Sequence, residues 1–387
     1  MIEITKKQNC SGCHACSSIC HKQCITMTED NEGFLYPQID KKKCVNCGLC
    51  EKVCPIINVP KELDNTIVAY ACKNKNDSDR SASSSGGIFS LMCRYAISKR
   101  GVVFGAAFDE NFSVSHMYAE TLEECEKFRG SKYVQSRIGD SHIKAKQFLE
   151  SGRVVLFSGT PCQIAGLEAF LIKKYENLIM IDIACHGVPS PSIYKKYVDS
   201  LEEKNKSKIA SISFRDKSTG WSKYSFRVDF ENGDKVKEFG YNNVYMKGFL
   251  SDIYLRPSCY ECKFKKPVTS ADITLADYWG IQKIHPDFDD DRGASLALVN
   301  TRRGQDIIKN ISSNMDIIET DLEYAINCNP CIVRPVKYNS KRDKFFNEFH
   351  KNNIEKTICK YTKVELSKKI YRKTRGILIR VKNKIFK

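Results

Sequence analysis

Apolar residues along this chain fall into two recurring patterns: short β-branched runs, and stretches where they return every three or four positions. Thr66-Ile-Val-Ala-Tyr-Ala-Cys72, Val102–Phe108, Ser113–Tyr118, Val154–Ser158 and Leu178–Ile183 are of the first kind and predict strands. Ile88–Ser98, Ser141–Glu150, Gln163–Lys173 and the stretch Ser192–Leu201 are of the second kind and predict helices, with a shorter one near Glu123–Phe128. Strands return at Ile209–Phe214, Tyr224–Phe230, Asp272–Ala276 and Ser295–Val299, and residues 211–239 read as locally antiparallel. Strands alternating with helices predict an α+β or mixed α/β core. Ahead of it, Ile25–Thr28 and Phe34–Pro37 flank the polar Glu29–Gly33, which reads as a strand, a turn and a strand. The polar stretch Val59–Asn65 contains Pro60 and reads as a linker.

A length of 387 residues with 42% hydrophobic content is enough to bury a full core and divides into more than one unit. The expected organisation is a small domain over 1–58, a larger mixed α/β core over 66–345 and a basic tail over 346–387. The net charge of +16 changes the picture only locally. From Lys360 onward there are eleven Lys or Arg against Glu365 alone, so the excess belongs to the tail and excludes a nucleic-acid footprint spread over the surface. In that tail Leu366, Ile370, Ile377, Val381 and Ile385 recur at helical spacing among basic residues. This predicts an amphipathic helix suited to an anionic membrane face or an acidic partner, or equally a solvated helix docked on the body. Gly376 interrupts it. The chain's start lacks an apolar signal segment and no run reaches membrane-span length, so a cytoplasmic protein is expected, with peripheral contact at the inner membrane face the one addition the tail suggests.

Nineteen cysteines change the picture most. Many stand in Cys-x2-Cys spacing in a chain without an export signal, which argues for metal rather than disulfides. Cys10, Cys13, Cys16 and Cys20 read Cys-x2-Cys-x2-Cys-x3-Cys, and Cys44, Cys47, Cys50 and Cys54 repeat that spacing 34 residues later. Three ligands on one short loop grip three irons of a cube, and in the two-cluster arrangement the fourth cysteine of each run serves the other cluster. Cys10, Cys13, Cys16 and Cys54 then hold one [4Fe–4S] cluster; Cys44, Cys47, Cys50 and Cys20 hold its twin. Zinc sites use separated pairs of ligands and fit this doubled pattern less well. His21 stands where the first run would ordinarily carry proline, and Cys24, outside the spacing, reads as a small packing residue.

Further candidates lie in the core. Ser83, Ser84, Ser85, Gly86 and Gly87 precede a helix and offer donors to an anion such as a flavin pyrophosphate, or simply cap the helix. Ser158–Gln163 is a strand-to-helix turn without the ending of a phosphate-binding Walker loop. Cys162, Cys185, Cys259 and Cys262 sit at two strand ends and in one Cys-x2-Cys pair; they read either as a third cluster or as two buried cysteines and a chance pair.

Residues 66–345 resemble the beta subunit of coenzyme F420 hydrogenase/dehydrogenase, a flavoprotein that exchanges hydride with a deazaflavin coenzyme. The resemblance rests on eight stretches in order: Ser83–Gly87, Arg129–Gln135, Gly159–Gly166, Cys185–Ser190, Phe214–Lys217 with Gly220-Trp221, Arg256–Cys259, Cys262–Lys265 and Ala271–Gly280. In the last, Ala276-Asp-Tyr-Trp-Gly280 stands where the family usually has Gly-Asp-Phe-Trp-Gly. A ferredoxin module fused ahead of such a core is similar to bacterial members. The resemblance implies FAD held by the Ser/Gly loop, Lys132, Thr160 and Gln163, and a core cluster on Cys162, Cys185, Cys259 and Cys262. It implies an oxidoreductase working with a redox partner protein or a small hydride carrier. Relatives also act on chlorophyll precursors or in surface-polysaccharide metabolism, so the substrate stays open. His186 and Lys132 are candidates for proton transfer, or for structural and phosphate contacts. Rival expectations are a flavin-free electron carrier and a transferase or assembly factor with structural clusters.

Overall fold

The computed structural model describes residues 1–60 and 67–363. The tail expected to form a basic helix beyond residue 363, and most of the expected linker, lie outside the described residues. Thirteen strands are described. β1 (Ile25–Glu29) and β2 (Leu35–Ile39) form the hairpin between the two cysteine runs. β3 (Val68–Asn74), β4 (Val102–Phe108), β5 (Val114–Ala119), β6 (Val155–Gly159) and β7 (Leu178–Ile183) build most of the core. β8 (Ile209–Asp216), β9 (Ser225–Phe230) and β10 (Lys235–Phe239) make a separate antiparallel sheet. β11 (Ile273–Asp277), β12 (Ser295–Val299) and β13 (Met315–Glu319) return to the main sheet.

The main sheet runs β13-β3-β12-β11-β7-β6-β4-β5. Its centre, β4-β6-β7-β11, is parallel, and both flanks are antiparallel. The strand period of two sorts its side chains onto two faces. Val103, Leu156, Ile179 and Ile273 face the helices Ile88–Ser98 and Arg302–Ile311. Val102, Phe104, Val155 and Phe157 face the helices Ser141–Glu150 and Pro161–Leu171. Helices on both sides of a mixed sheet, behind a small cysteine-rich module, are the mixed α/β architecture the pattern predicted. Sequence periodicity missed β10, β13 and the helix Arg302–Ile311. The two strands are edge strands with few buried positions, and the helix buries only one narrow stripe.

The cysteine-rich module is packed into this body rather than tethered to it. Cys13, Ala15 and Val53 join the core beside Ile164 and Leu167. At Gly166 the two approach closely: a Cβ there would lie 2.7 Å from the Cys13 Cβ. The hairpin is held at its tip by Arg342, which is buried and donates to both Glu32 carboxylate oxygens at 3.0 and 2.6 Å. Such a paired, hydrogen-bonded buried charge holds position because removing either partner strands the other. The helices Arg342–Glu348 and Ile354–Thr362 bury Phe345, Ile354 and Ile358 against the residues around β8–β10.

Asp182 on β7 is fully buried beside Thr269 and Thr274, and burial pushes its carboxyl up to about 7 from 3.8. The unfolded chain releases this proton from about pH 3.8 upward, whereas the folded chain keeps it until about 7. Stability therefore falls as pH rises through that window. Asp182→Asn keeps the shape without the titration. Its melting temperature is expected to fall less between pH 5 and 8 than that of the native chain; parallel curves would refute the assignment.

Candidate iron–sulfur and redox site

Three cavities collect the cysteines singled out above. Cys10, Cys13, Cys16 and Cys54 line an inner one with Ser11, His14 and Ile56. Cys20, Cys44, Cys47 and Cys50 line an outer one with Cys24, His21, Lys22 and Val45. Cys162, Cys185, Cys259 and Cys262 line a third, in the core. A zinc ion needs its sulfurs at about 2.3 Å from one point. Among the described residues no three or more His, Cys, Asp or Glu groups converge on a single ion. Four thiols set around a shared space rather than on one point suit a cube of iron and sulfide.

Local structure explains how each thiol reaches its cavity. His14 and Gly48 adopt left-handed backbone at φ 63° and 75°, turning each run into a short helix so that successive cysteines face inward. Gly12, at φ +71°, leaves room for Arg256: a Cβ there would lie 2.8 Å from its guanidinium. In the core, Thr160 caps the helix Pro161–Leu171 reciprocally with Gln163, which sets Cys162 at its first turn. Cys185 follows the end of β7, and Lys265 pins that turn by donating to the carbonyls of Cys185 and Cys331.

The thiols are costly to ionise unaided. Burial pushes Cys13 and Cys185 up to about 12 and Cys259 up to about 11. A bound cationic centre would supply the missing compensation and displace the protons. Arg256 is the complement of that requirement. It has 0% exposure, and among the described residues no carboxylate pairs with it. It donates to the carbonyls of Cys10 at 2.8 Å and Leu35 at 2.9 Å, to Gln135 Oε1 at 3.0 Å and to Cys10 Sγ at 3.5 Å. Tyr36 stacks against it at 4.4 Å. A buried guanidinium needs a counter-charge, and the thiols of the inner set, once ionised by a bound cluster, would supply it.

The residues expected to hold a flavin separate into two groups. Ser84 and Ser85 meet the segment 129–132: the Ser131 amide donates to Ser84 Oγ at 2.6 Å. Ser85 Oγ donates to the Ala294 carbonyl at 2.8 Å, and Ser83 Oγ to that of Asp79 at 2.7 Å. Lys132 lies beside them, its Nζ donating to the carbonyls of Arg129 and Gly130, and burial pulls it down to about 7. Gly86 and Gly87 face away from this group. A Cβ on Gly86 would sit 2.5 Å from the Cys72 carbonyl, so these glycines serve close packing on β3 and β12. Thr160 instead lines the core cavity, and Gln163 lies behind it, accepting from the Thr160 amide and donating to Ser136 Oγ at 2.9 Å.

Arg215 was not foreseen as a site residue, although it lies within one of the quoted motifs. It is buried between Tyr224 and Trp279, donates to Asp277 at 2.8 Å and to the Tyr133 hydroxyl at 3.3 Å, and reaches the Ser84 carbonyl. Its Nε is buried without a partner among the described residues. An aromatic series, Tyr133 on Phe249 at 4.7 Å and Phe249 on His186 at 5.1 Å, leads from Arg215 to the Cys185 turn. His186 itself is paired with Asp252 at 2.6 Å.

Comparison with known proteins places two parts of the chain. Residues 152–325 match the family described as the C terminus of the coenzyme F420 hydrogenase/dehydrogenase beta subunit, and residues 9–57 match the 4Fe–4S dicluster domain. The F-type component of the F(420)H(2) dehydrogenase of Methanosarcina mazei is 23% identical over 190 residues, 46% of this chain and 53% of that protein. The protein named NADH-quinone oxidoreductase subunit I 2 of Geobacter metallireducens is 36% identical over 55 residues, 13% of this chain and 42% of that protein. The chain thus spans about half the length, or less, of these curated relatives. A chain of the F420-reducing [NiFe] hydrogenase complex of Methanosarcina barkeri has a TM-score of 0.45 at 16% identity, covering 69% of this chain and 91% of that one. Among the described residues no helix is long and apolar enough to cross a membrane.

Proposed function

We propose that this chain, a 4Fe–4S dicluster domain joined to the C-terminal region typical of coenzyme F420 hydrogenase/dehydrogenase beta subunits, is an iron–sulfur flavoprotein oxidoreductase with three [4Fe–4S] clusters and one FAD. One observation carries the reading: Ser11 and Ile56 line both the inner dicluster cavity and the core cavity. Two four-thiol sites with a common wall are an arrangement for passing single electrons. When bound, a flavin exchanges hydride as an electron pair and cubane clusters exchange electrons singly, which together convert one kind of transfer into the other.

The chain's own residues supply holding, tuning and exclusion of water. Cys10, Cys13, Cys16 and Cys54 hold the inner cluster, Cys20, Cys44, Cys47 and Cys50 the outer, and Cys162, Cys185, Cys259 and Cys262 the core one. Arg256 places a fixed positive charge and an N–H···S contact against the inner set, both of which raise a cluster's potential. Ser84, Ser85, Lys132 and Arg215 are the groups that fit a flavin's phosphates, with the unpartnered Arg215 Nε supporting that fit. Thr160 and Gln163 position Cys162. The exposed Cys47 and Val45 make the outer site the end open to a redox partner protein. A deazaflavin or another soluble hydride carrier serves the flavin end, and its identity decides which metabolism, surface polysaccharide included, the chain supports.

Iron and flavin measured per chain after anaerobic purification test the proposal directly. About twelve irons with one FAD are expected, since each cubane holds four. About eight irons without flavin would leave an electron carrier and remove the oxidoreductase reading.

A further inference from the structure

We infer that Cys24 is a fifth thiol of the outer cluster site, a reserve ligand able to replace Cys20. The inference rests on the outer four-cysteine site proposed above and extends it to a residue that the ligand spacing leaves out. Cys24 lines the same cavity as Cys20, Cys44, Cys47 and Cys50. Its side chain is 4% exposed, and its Sγ lies 3.3 Å from that of Cys20. Cys44, a ligand from the second run, lines that cavity too, so Cys24 shares it with ligands from both runs.

The backbone keeps it there. The Asp40 amide donates to the Cys24 carbonyl at 2.8 Å, and β1 begins at the next residue, so the hairpin fixes the position of the Cys24 Cα. Cys20 ends the helix Ala15–Ile19 as its cap and enters the turn that carries Cys24. The two sulfurs are direct neighbours, so a swap moves the iron–sulfur bond by little more than the distance between them. The exchange is redox-neutral. The Cys24 thiol gives up its proton as its sulfur bonds iron, the Cys20–iron bond breaks, and the released Cys20 thiolate takes a proton.

Four proteins purified without oxygen test this: the native chain, Cys20→Ala, Cys24→Ala and Cys20→Ala/Cys24→Ala. Iron per chain and the electron paramagnetic resonance of the reduced proteins are read on each. The native chain and both single variants should hold equal iron, with an altered signal for Cys20→Ala, while the double variant should lose about four irons. A loss of about four irons from Cys20→Ala alone overturns the inference. Should alanine at 20 prevent folding, Cys20→Ser serves the same purpose. Its signal should be that of an all-sulfur cluster with Cys24 present and of an oxygen-ligated one in Cys20→Ser/Cys24→Ala. Identical signals for those two proteins also overturn it. A native chain lacking iron at the outer site would show instead that the two-cluster reading has failed.

Discussion

The Cys162→Ala protein is expected to hold about eight irons where the native chain holds about twelve, and to keep the spectrum of its dicluster domain. Cys162 sits at the first turn of a helix whose cap is closed between Thr160 and Gln163; alanine gives up the 3.2 Å contact of the thiol with Thr160 Oγ1 but leaves that cap in place. The lost sulfur belongs to the cavity that shares Ser11 and Ile56 with the inner dicluster site. Stopped-flow reduction of the dicluster domain by a hydride donor should therefore slow by a hundredfold or more, while reduction by dithionite, which reaches the outer site directly, should be unchanged. Twelve irons in the variant would show that these four cysteines hold no cluster. Eight irons with an unchanged hydride-driven rate would show that the core site lies off the route.

Replacing Arg256 by methionine is the second large effect. The methionine keeps an apolar stem between Phe34 and Tyr36 but removes a charge and four donated contacts, leaving the Cys10 and Leu35 carbonyls without this partner. Stranding buried acceptors costs about 1–3 kcal/mol each, so a destabilisation of about 3 kcal/mol is expected in chemical denaturation followed by the loss of cluster absorbance. The inner cluster's potential should also fall, because both the fixed charge and the N–H···S contact are gone. Arg256→Lys should recover part of that potential through its charge and little of the stability, since one ammonium cannot span the three carbonyl and amide acceptors. An unchanged potential in the methionine variant, read by a spectroscopic redox titration, would remove Arg256 from the tuning of this cluster.

Several parts of the site were legible before any coordinates. The two cysteine runs declare themselves because cluster ligation is local: three of four ligands lie within seven residues, and their spacing is the chemistry. Long helices and central strands were legible for a similar reason, since Ile88–Ser98 and Val102–Phe108 carry their burial pattern within a single stretch of chain. Cys24 reads in the sequence as a packing residue, and its approach to the Cys20 sulfur at 3.3 Å depends on how the β1–β2 hairpin folds back, which spacing does not encode. The Ser/Gly loop reads by its spacing more as a cap than as a ligand loop, and the structure divides it: Ser84 borders Ser131 and Arg215, whereas Gly86 is committed to contact with β3 and β12.

By itself the sequence determined the number and kind of chemical groups: two matched four-cysteine runs, a mixed α/β pattern behind them, and four further cysteines at strand ends and in a loop. Tertiary structure alone decided which of these share a wall. Ser11 and Cys259 are far apart along the chain, yet both line the core cavity, because Arg256 draws the first cysteine run onto the segment that precedes Cys259. Local spacing can specify a ligand set, since the backbone within a few residues fixes where its side chains point. The distance between two such sets is fixed by burial of side chains from remote segments, here Cys13 and Val53 against Ile164 and Leu167, and that is a property of the packed core.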